Sequence, residues 1–420
     1  MVSNLAVVGL GYVGLPLAQE AVRAGLSVVG FDLNPNVVHG LNESISHVDD
    51  LSNKDIAAMR RGGFFATTDP QVIQSGEAVV ICVPTPLDDD GGPDLRAVTE
   101  AATIVGANLR GGTLVVLEST TYPGTTEEIV RPILERESAL TLDVDYFLAF
   151  SPERIDPGNP TYGVKNTPKI VGGVTQKSTD IAAGFYRKFI DVVIPARGAR
   201  EAETAKLLEN TYRHVNIALV NEMVRFCHEL DIDLWNVIRL ADTKPFGFQA
   251  FYPGVGVGGH CIPIDPNYLS YDVRKRLGYP FRFVELAQEI NATMPAYVAT
   301  RAQTILNRDG IPLRNAHILL LGVTYKPNVS DLRESPSVAL ASALLKEGVD
   351  LEYHDPRVTE WTVGGVGIGR AESAELAAAS ADLTILLQNH HEYSVDKLSI
   401  LAKRFFDTTG ATTSDSVERL

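Results

Sequence analysis

The sequence predicts an α/β protein in which two doubly wound parallel-sheet domains are joined by a long-helix segment. Three observations predict it. Short apolar runs without polar alternation recur along the chain, as expected of strands covered on both faces. Each run ends in a loop rich in glycine, proline or acidic residues, and a strand–loop–helix–strand–acid order occurs near both ends of the chain. Between these ends lie stretches of sustained helical periodicity. A chain of 420 residues has room for two or three domains, and we divide it at 1–198, 199–308 and 309–420.

In the first domain, Leu5-Ala-Val-Val8 reads as a buried strand and runs into Gly9-Leu-Gly11-Tyr12-Val13-Gly14, then into a helical pattern from Leu17 to Ala24. A second apolar run, Leu26 to Phe31, ends in Asp32. That order is the dinucleotide fingerprint of a Rossmann-like unit: glycines for the turn, for pyrophosphate approach and for helix–strand packing. Asp32 would take the ribose hydroxyls and repel a 2′-phosphate, so NAD is favoured over NADP. The alternative is a glycine-rich turn in an unrelated α/β fold. Further strands follow at Ala78–Val83, Thr113–Leu117 and Phe147–Phe150. Their carboxyl ends carry Pro84-Thr85, Glu118-Ser-Thr120 and Ser151-Pro-Glu153-Arg154-Ile-Asp156, where an open parallel sheet binds its ligand. Cys82 reads as structural.

From Arg200 to about Ala241 the pattern is one long helix or two. Lys206 and Asn210 are four apart and share a face that continues through His214, Ile217, Asn221 and Val224. This mixed face is expected to be partly buried or to line a site. Lys206 reads either as an ion-pair partner of Glu203 or Glu209, or as a cationic donor to a developing oxyanion. Cys227 reads as core. After this comes Phe251-Tyr252-Pro-Gly-Val-Gly256-Val-Gly258-Gly-His260-Cys261-Ile-Pro-Ile-Asp265. A thiol on a glycine run beside a polar partner reads as a nucleophile, and otherwise as a buried cysteine in a tight turn. A long helical pattern from about Pro280 to Asn307 follows, and helices of this kind between two α/β units suggest a dimer.

The last third echoes the first: His317–Gly322, a helical stretch from Ser337 to Glu347, then Asp350–Tyr353 ending in His354-Asp355-Pro356. Its loop lacks the glycine fingerprint but carries Lys326 and Arg333, side-chain cations able to meet phosphate. The Thr- and Ser-rich tail after Asp407 is expected to be loose.

The net charge of −15 argues against a nucleic-acid or anionic-membrane partner. No run approaches the roughly 20 apolar residues that span a bilayer, and Met1-Val-Ser-Asn4 leads straight into a strand, so no signal peptide is expected. Three scattered cysteines suit neither a disulfide framework nor a metal site, and point to the reducing cytoplasm. A simple alcohol dehydrogenase needs no thiol. A thiol becomes useful when an aldehyde must be oxidised onward to an acid.

Six segments carry a resemblance to the nucleotide-sugar 6-dehydrogenase family, which includes the UDP-glucose, UDP-N-acetylhexosamine and GDP-mannose enzymes. They are Gly9–Leu15, Glu118–Thr120, Ser151–Arg154, Glu203–Asn210, Gly256–Asp265 and Tyr325–Pro336. The resemblance spans almost the whole chain. It implies Cys261 as covalent nucleophile, Asp265 in proton transfer and water orientation, Lys206 and Asn210 as oxyanion donors, and Thr120 and Glu153 in water positioning or proton transfer. It further implies cofactor contacts from Gly9, Gly11, Tyr12, Val13, Gly14, Asp32, Pro84, Thr85, Thr120 and Arg333. Substrate contacts would come from Glu153, Arg154, Lys206, Asn210, Phe251, Tyr252, Gly256, Gly258 and Lys326. The implied substrate is a nucleotide-diphosphate hexose, UDP-N-acetylhexosamine or UDP- or dTDP-glucose, oxidised twice at C6 by a homodimer. One position departs from the UDP-glucose enzymes, which commonly carry a second glutamate four residues after the first; here Pro157 stands there, with Asp156 before it. The competing readings are a single-step hydroxyacid or polyol dehydrogenase and a non-catalytic NAD-binding protein.

Overall fold

The computed structural model describes residues 3–48, 50–88, 92–156, 159, 161–259, 262–414 and 417–420. The chain divides into two compact units, residues 1–209 with 267–279 and residues 210–266 with 280–420.

The first unit is built on β1 (Ser3–Val8), β2 (Val28–Phe31), β3 (Phe65–Thr67), β4 (Gly76–Ile81), β5 (Leu114–Leu117), β6 (Phe147–Phe150), β7 (Lys169–Gly173) and β8 (Val193–Pro195). They form one sheet in the order β3-β2-β1-β4-β5-β6-β7-β8. Every pairing is parallel except β6 with β7. The unalternating apolar runs now have their cause. Leu5 and Val7 of β1 enter one core and Ala6 and Val8 the other, so both faces of the sheet are covered. Strand order reverses between β1 and β4, which makes the ends of these two strands the crevice of the sheet.

The second unit holds β9 (His317–Leu321), β10 (Asp350–His354), β13 (Gly369–Arg370), β14 (Leu383–Leu386), β15 (Phe405–Asp407) and β16 (Glu418–Arg419), with a β11 (Thr362–Val363) and β12 (Val366–Gly367) hairpin beside them. The order β13-β10-β9-β14-β15-β16 is parallel throughout and repeats the reversal of the first sheet. The echo between the halves reaches individual hydrogen bonds. Val8 pairs with Phe31 and Leu321 with His354; the next residue in each case is an aspartate. Asp32 accepts from the backbone N–H of Leu10 at 2.9 Å, and Asp355 from that of Val323 at 2.7 Å.

The stretch predicted as one helix or two is a 31-residue helix, Ala199–Glu229, followed by Leu234–Asp242. Asp233 caps the second helix. On the face from Lys206 to Val224, Lys206, Asn210, His214, Asn221 and Val224 are buried and Ile217 is half-buried. Burial pushes the His214 imidazole down to about 4, so it stays neutral there. Residues 282–307 form the other long helix.

The described residues of the tail are not loose. β16 pairs with β15, Leu420 is buried, and Glu418 is salt-bridged to Arg301 at 2.5 Å and Arg308 at 2.8 Å. The buried Asp407 carboxylate accepts from Thr409, Gly410 and Thr412. The short polar residues that suggested a loose segment are the ones able to fold back onto that carboxylate.

Candidate active site

Gly9 adopts φ +90°, and a Cβ on Gly14 would lie 2.0 Å from the Gly9 carbonyl oxygen. Backbone-on-backbone contact of this kind admits no side chain, and it leaves the first turn of the helix Gly14–Arg23 open to a pyrophosphate. Asp32 stands at the end of β2, half-exposed, its second oxygen accepting from Asn34 N–H at 2.9 Å. Cradle and acid together fit a dinucleotide with free ribose hydroxyls. Tyr12 is exposed at the rim and Pro84 is exposed after β4. Thr85 is buried, and its carbonyl accepts from the Tyr268 hydroxyl. The Ser119 hydroxyl reaches across to the Val83 carbonyl at 2.7 Å, joining the loops after β4 and β5 just before partly exposed Thr120.

The loop after β6 carries Glu153 and Arg154. The Glu153 carboxylate turns back to accept from Ile155 N–H. Arg154 is engaged by a two-pronged ion pair with Glu209, at 2.6 and 3.2 Å, and by the Pro168 carbonyl at 2.6 Å. Its fork therefore fastens this loop to the long helix. Asp156 is exposed and accepts from Asn159 at 3.2 Å; Pro157 lies outside the described residues.

Neither carboxylate beside Lys206 pairs with it. Glu209 holds Arg154, and Glu203 is fully buried, accepting from Gly124 N–H at 2.6 Å and from the N–H and hydroxyl of Thr126 at 3.0 and 2.7 Å. Burial pushes the Glu203 carboxyl up to about 7, against the pull of those donors. Its folded pKa exceeds the ordinary value of about 4.3, so between the two the folded state binds a proton that the unfolded chain does not. Stability should then fall as pH rises through that window, by about 4 kcal/mol in full. Thermal unfolding of wild type and Glu203→Gln from pH 5 to 8 checks this: the difference between them should carry the slope.

Sequence reasoning gave no role to the Glu118 carboxyl, nor to Lys169 and Tyr186. All three are buried at the carboxyl edge of the sheet, with Lys169 Nζ 3.0 Å from Glu118 Oε1 and the Tyr186 hydroxyl donating to the same oxygen. An isolated lysine opening the apolar run Lys169-Ile-Val-Gly-Gly173 was the available signal.

In the second unit Asn210 Nδ2 donates to Asp265 Oδ2 at 2.5 Å, and both side chains are buried. Two residues proposed for catalysis from separate motifs are thus in contact. Lys206, also buried, lies one helical turn before Asn210. The glycine run is fixed from Phe251 to Gly258. Phe251 packs edge-on against Tyr212, Tyr252 stacks on Trp235 at 5.5 Å, and Asn221 accepts from Gly254 N–H at 2.9 Å. A Cβ on Gly258 would meet the Glu334 carbonyl, Pro336 and Tyr325, each at 2.8 Å. A Cβ on Gly256 would lie 3.0 Å from Pro336. The glycines therefore serve close packing on the Tyr325–Pro336 motif. His260 and Cys261 lie outside the described residues. Lys326 and Arg333 are on that same motif, and Arg333 pairs with Asp331 at 2.6 Å. Among the described residues no group of His, Cys, Asp and Glu could hold a metal, and no helix is long and apolar enough to cross a membrane.

The UDP-glucose/GDP-mannose dehydrogenase family matches the chain in three consecutive parts: its NAD binding domain over residues 3–190, its central domain over 200–293 and its UDP binding domain over 319–414. The chain is similar to a UDP-N-acetyl-D-mannosamine dehydrogenase of Pyrococcus horikoshii, 33% identical over 392 residues, with 93% of this chain and 90% of that protein covered. It is also similar to a UDP-N-acetyl-D-glucosamine 6-dehydrogenase of Pseudomonas aeruginosa, 36% identical over 358 residues, with 85% and 83% covered. The solved structure of the UDP-D-ManNAc dehydrogenase from Pyrococcus horikoshii matches with a TM-score of 0.88 at 30% identity, over 99% of this chain and 98% of that one. These likenesses run through the fingerprint, the long helix and the second sheet alike, and the chain belongs to the UDP-glucose/GDP-mannose dehydrogenase family, with NAD as its cofactor.

Proposed function

We propose that the protein oxidises C6 of a UDP-N-acetylhexosamine to the uronic acid in two NAD-dependent steps, with Cys261 carrying the intermediate between them. The observation that carries this reading is the buried Asn210–Asp265 contact, with Lys206 one turn away on the same helix. NAD, which the Gly9–Gly14 turn and Asp32 would hold, would supply the hydride acceptor for each oxidation. Asn210 and Lys206 offer an amide N–H and an ammonium to the C6 oxygen as negative charge develops on it. The primary alcohol loses a hydride and a proton and becomes the aldehyde. The Cys261 thiolate adds to that carbonyl, forming a C–S bond, and loss of a second hydride leaves a thioester. Water then adds, the C–S bond breaks, and the carboxylate leaves with the thiol regenerated. Glu153 and Thr120, on the loops after β6 and β5, position the water or move its proton. Asp265 shares that work, its carboxylate already oriented by Asn210. Overall one alcohol, two NAD and one water give one acid, two NADH and two protons.

The UDP moiety rests on the second sheet, residues 309–420, with Lys326 meeting a phosphate and Arg333 reaching the phosphates or the cofactor. The N-acetylhexosamine preference is supported by the similar enzymes described above and by the absence of a second loop glutamate at Pro157. A homodimer is supported by exposed Tyr212, Leu219 and Phe226, which recur every seven residues on one face of the helix Ala199–Glu229. The test is absorbance at 340 nm with NAD and a panel of UDP-, dTDP- and GDP-hexoses, counting NADH per sugar. Two NADH with a UDP-N-acetylhexosamine is the expected result. One NADH per sugar overturns the thioester route, and none with any sugar overturns the substrate class.

A further inference from the structure

In the second unit, the aspartate equivalent to ribose-facing Asp32 is buried and turned to another use. Asp355 is closed off from solvent, and its carboxylate accepts from Val323 N–H, from Arg357 N–H at 2.8 Å and from His390 Nε2 at 3.1 Å. It cannot meet a ribose. The His390 ring is also fully buried, and its other nitrogen, Nδ1, lies 2.9 Å from the backbone N of Asn328. A backbone N–H can only donate, so Nδ1 carries a lone pair and the ring proton sits on Nε2, pointing at Asp355. The tautomer is thus assigned by its two partners.

This histidine holds one particular stretch of chain. Asn328 takes the left-handed conformation, φ +67°, and its side-chain oxygen accepts from His391 N–H at 2.8 Å. Thr324 Oγ lies 3.3 Å from His390 Nε2 and donates to the Lys326 carbonyl at 3.0 Å. Gln388 donates to the Tyr325 carbonyl at 3.2 Å. Residues 388–391 therefore grip the backbone on both sides of Lys326, and the imidazole is the centre of that grip.

We propose that His390, oriented by Asp355, is a positioning residue that fixes the Thr324–Asn328 turn and so sets Lys326 for the diphosphate of the nucleotide sugar. The proposal rests on the reading of Lys326 as a phosphate contact. In the first unit the backbone cradle meets phosphate and the aspartate meets ribose; in the second the aspartate polarises a histidine that shapes a loop, and a side-chain cation replaces the cradle.

The experiment compares His390→Phe, which keeps the ring volume and removes both nitrogens, with His390→Asn, whose amide oxygen can replace Nδ1 as acceptor. UDP affinity is measured by calorimetry, KM is measured for nucleotide sugar and for NAD, and amide hydrogen exchange is followed across residues 323–335. His390→Phe is expected to weaken UDP binding and raise the sugar KM by about tenfold, the effect of losing a buried hydrogen bond. Exchange in 323–335 should quicken, the NAD KM should stay put, and His390→Asn should recover most of the UDP affinity. Wild-type UDP affinity with unchanged exchange in the Phe variant overturns the proposal. If that variant does not fold, His390→Gln replaces it, since its amide, one bond farther out, keeps the donor toward Asp355 and places no acceptor at the Nδ1 position; Gln and Asn behaving alike overturns the proposal as well. Lys326→Ala separates the two readings. Undiminished UDP affinity in that variant refutes the phosphate contact, whereas faster exchange in the His390 variants still reports the grip on the loop.

Discussion

The Cys261→Ser protein should bind NAD and nucleotide sugar and release no uronic acid. The first oxidation needs only hydride loss with stabilisation of the C6 oxygen, and Lys206 and Asn210 are untouched by the substitution. The second needs a tetrahedral carbon that carries a removable hydride and then a leaving group that water can displace. A thiolate supplies both, because it adds readily to an aldehyde and leaves readily from an acyl carbon. A serine hydroxyl is a weak nucleophile at neutral pH and a poor leaving group from an acyl carbon. NADH should therefore stop at one per sugar at most, with aldehyde-level product, read by absorbance at 340 nm and by mass spectrometry of the quenched sugar. Full production of two NADH and acid by the serine variant would remove Cys261 from the chemistry and leave the Gly256–Asp265 loop as a structural clasp on Tyr325–Pro336.

Much of this protein was legible because its chemistry is concentrated in strand-end loops. Parallel strands covered on both faces are apolar throughout, so β1, β4, β5, β6 and β9 stood out, and each pointed to the loop after it. The register of Asp32 and Asp355 followed from counting along those strands, but their different fates did not. Whether an aspartate faces a ligand or a buried imidazole depends on His390, 35 residues away in sequence. The antiparallel β7 also escaped, because Lys169-Ile-Val-Gly-Gly173 opens on a charge that normally marks solvent. Nor did spacing disclose that Gly258 packs against Tyr325 and Pro336, and Gly256 against Pro336. Sequence spacing discloses which residues share an element, and these partners lie on different elements.

Replacing Lys169 by methionine should lower stability by about 3–5 kcal/mol, because it strands the Glu118 carboxylate without its counter-ion. The pair is closed to solvent, with side-chain exposures of 7% and 0%. Glu118 Oε1 holds both Lys169 and Tyr186, while Oε2 has no hydrogen-bond partner among the described residues. Burial pushes the Glu118 carboxyl up, and Lys169 draws it back. Without the lysine the upward push is unopposed, and folded Glu118 takes up a proton that the unfolded chain, with an ordinary carboxyl near 4.3, does not hold. A folded pKa above the unfolded one means that stability falls as pH rises between them. The deficit of Lys169→Met should therefore be smaller at pH 5 than at pH 8, a difference that loss of packing alone would not produce. Adding Glu118→Gln removes the charge and keeps an acceptor for the Tyr186 hydroxyl, so the double variant should regain most of the loss and lose the pH dependence. Denaturant unfolding at both pH values measures all three proteins. A single variant within 1 kcal/mol of wild type at pH 8 would mean that water or a structural shift already neutralises Glu118, and that the lysine is not what keeps its charge under the sheet edge.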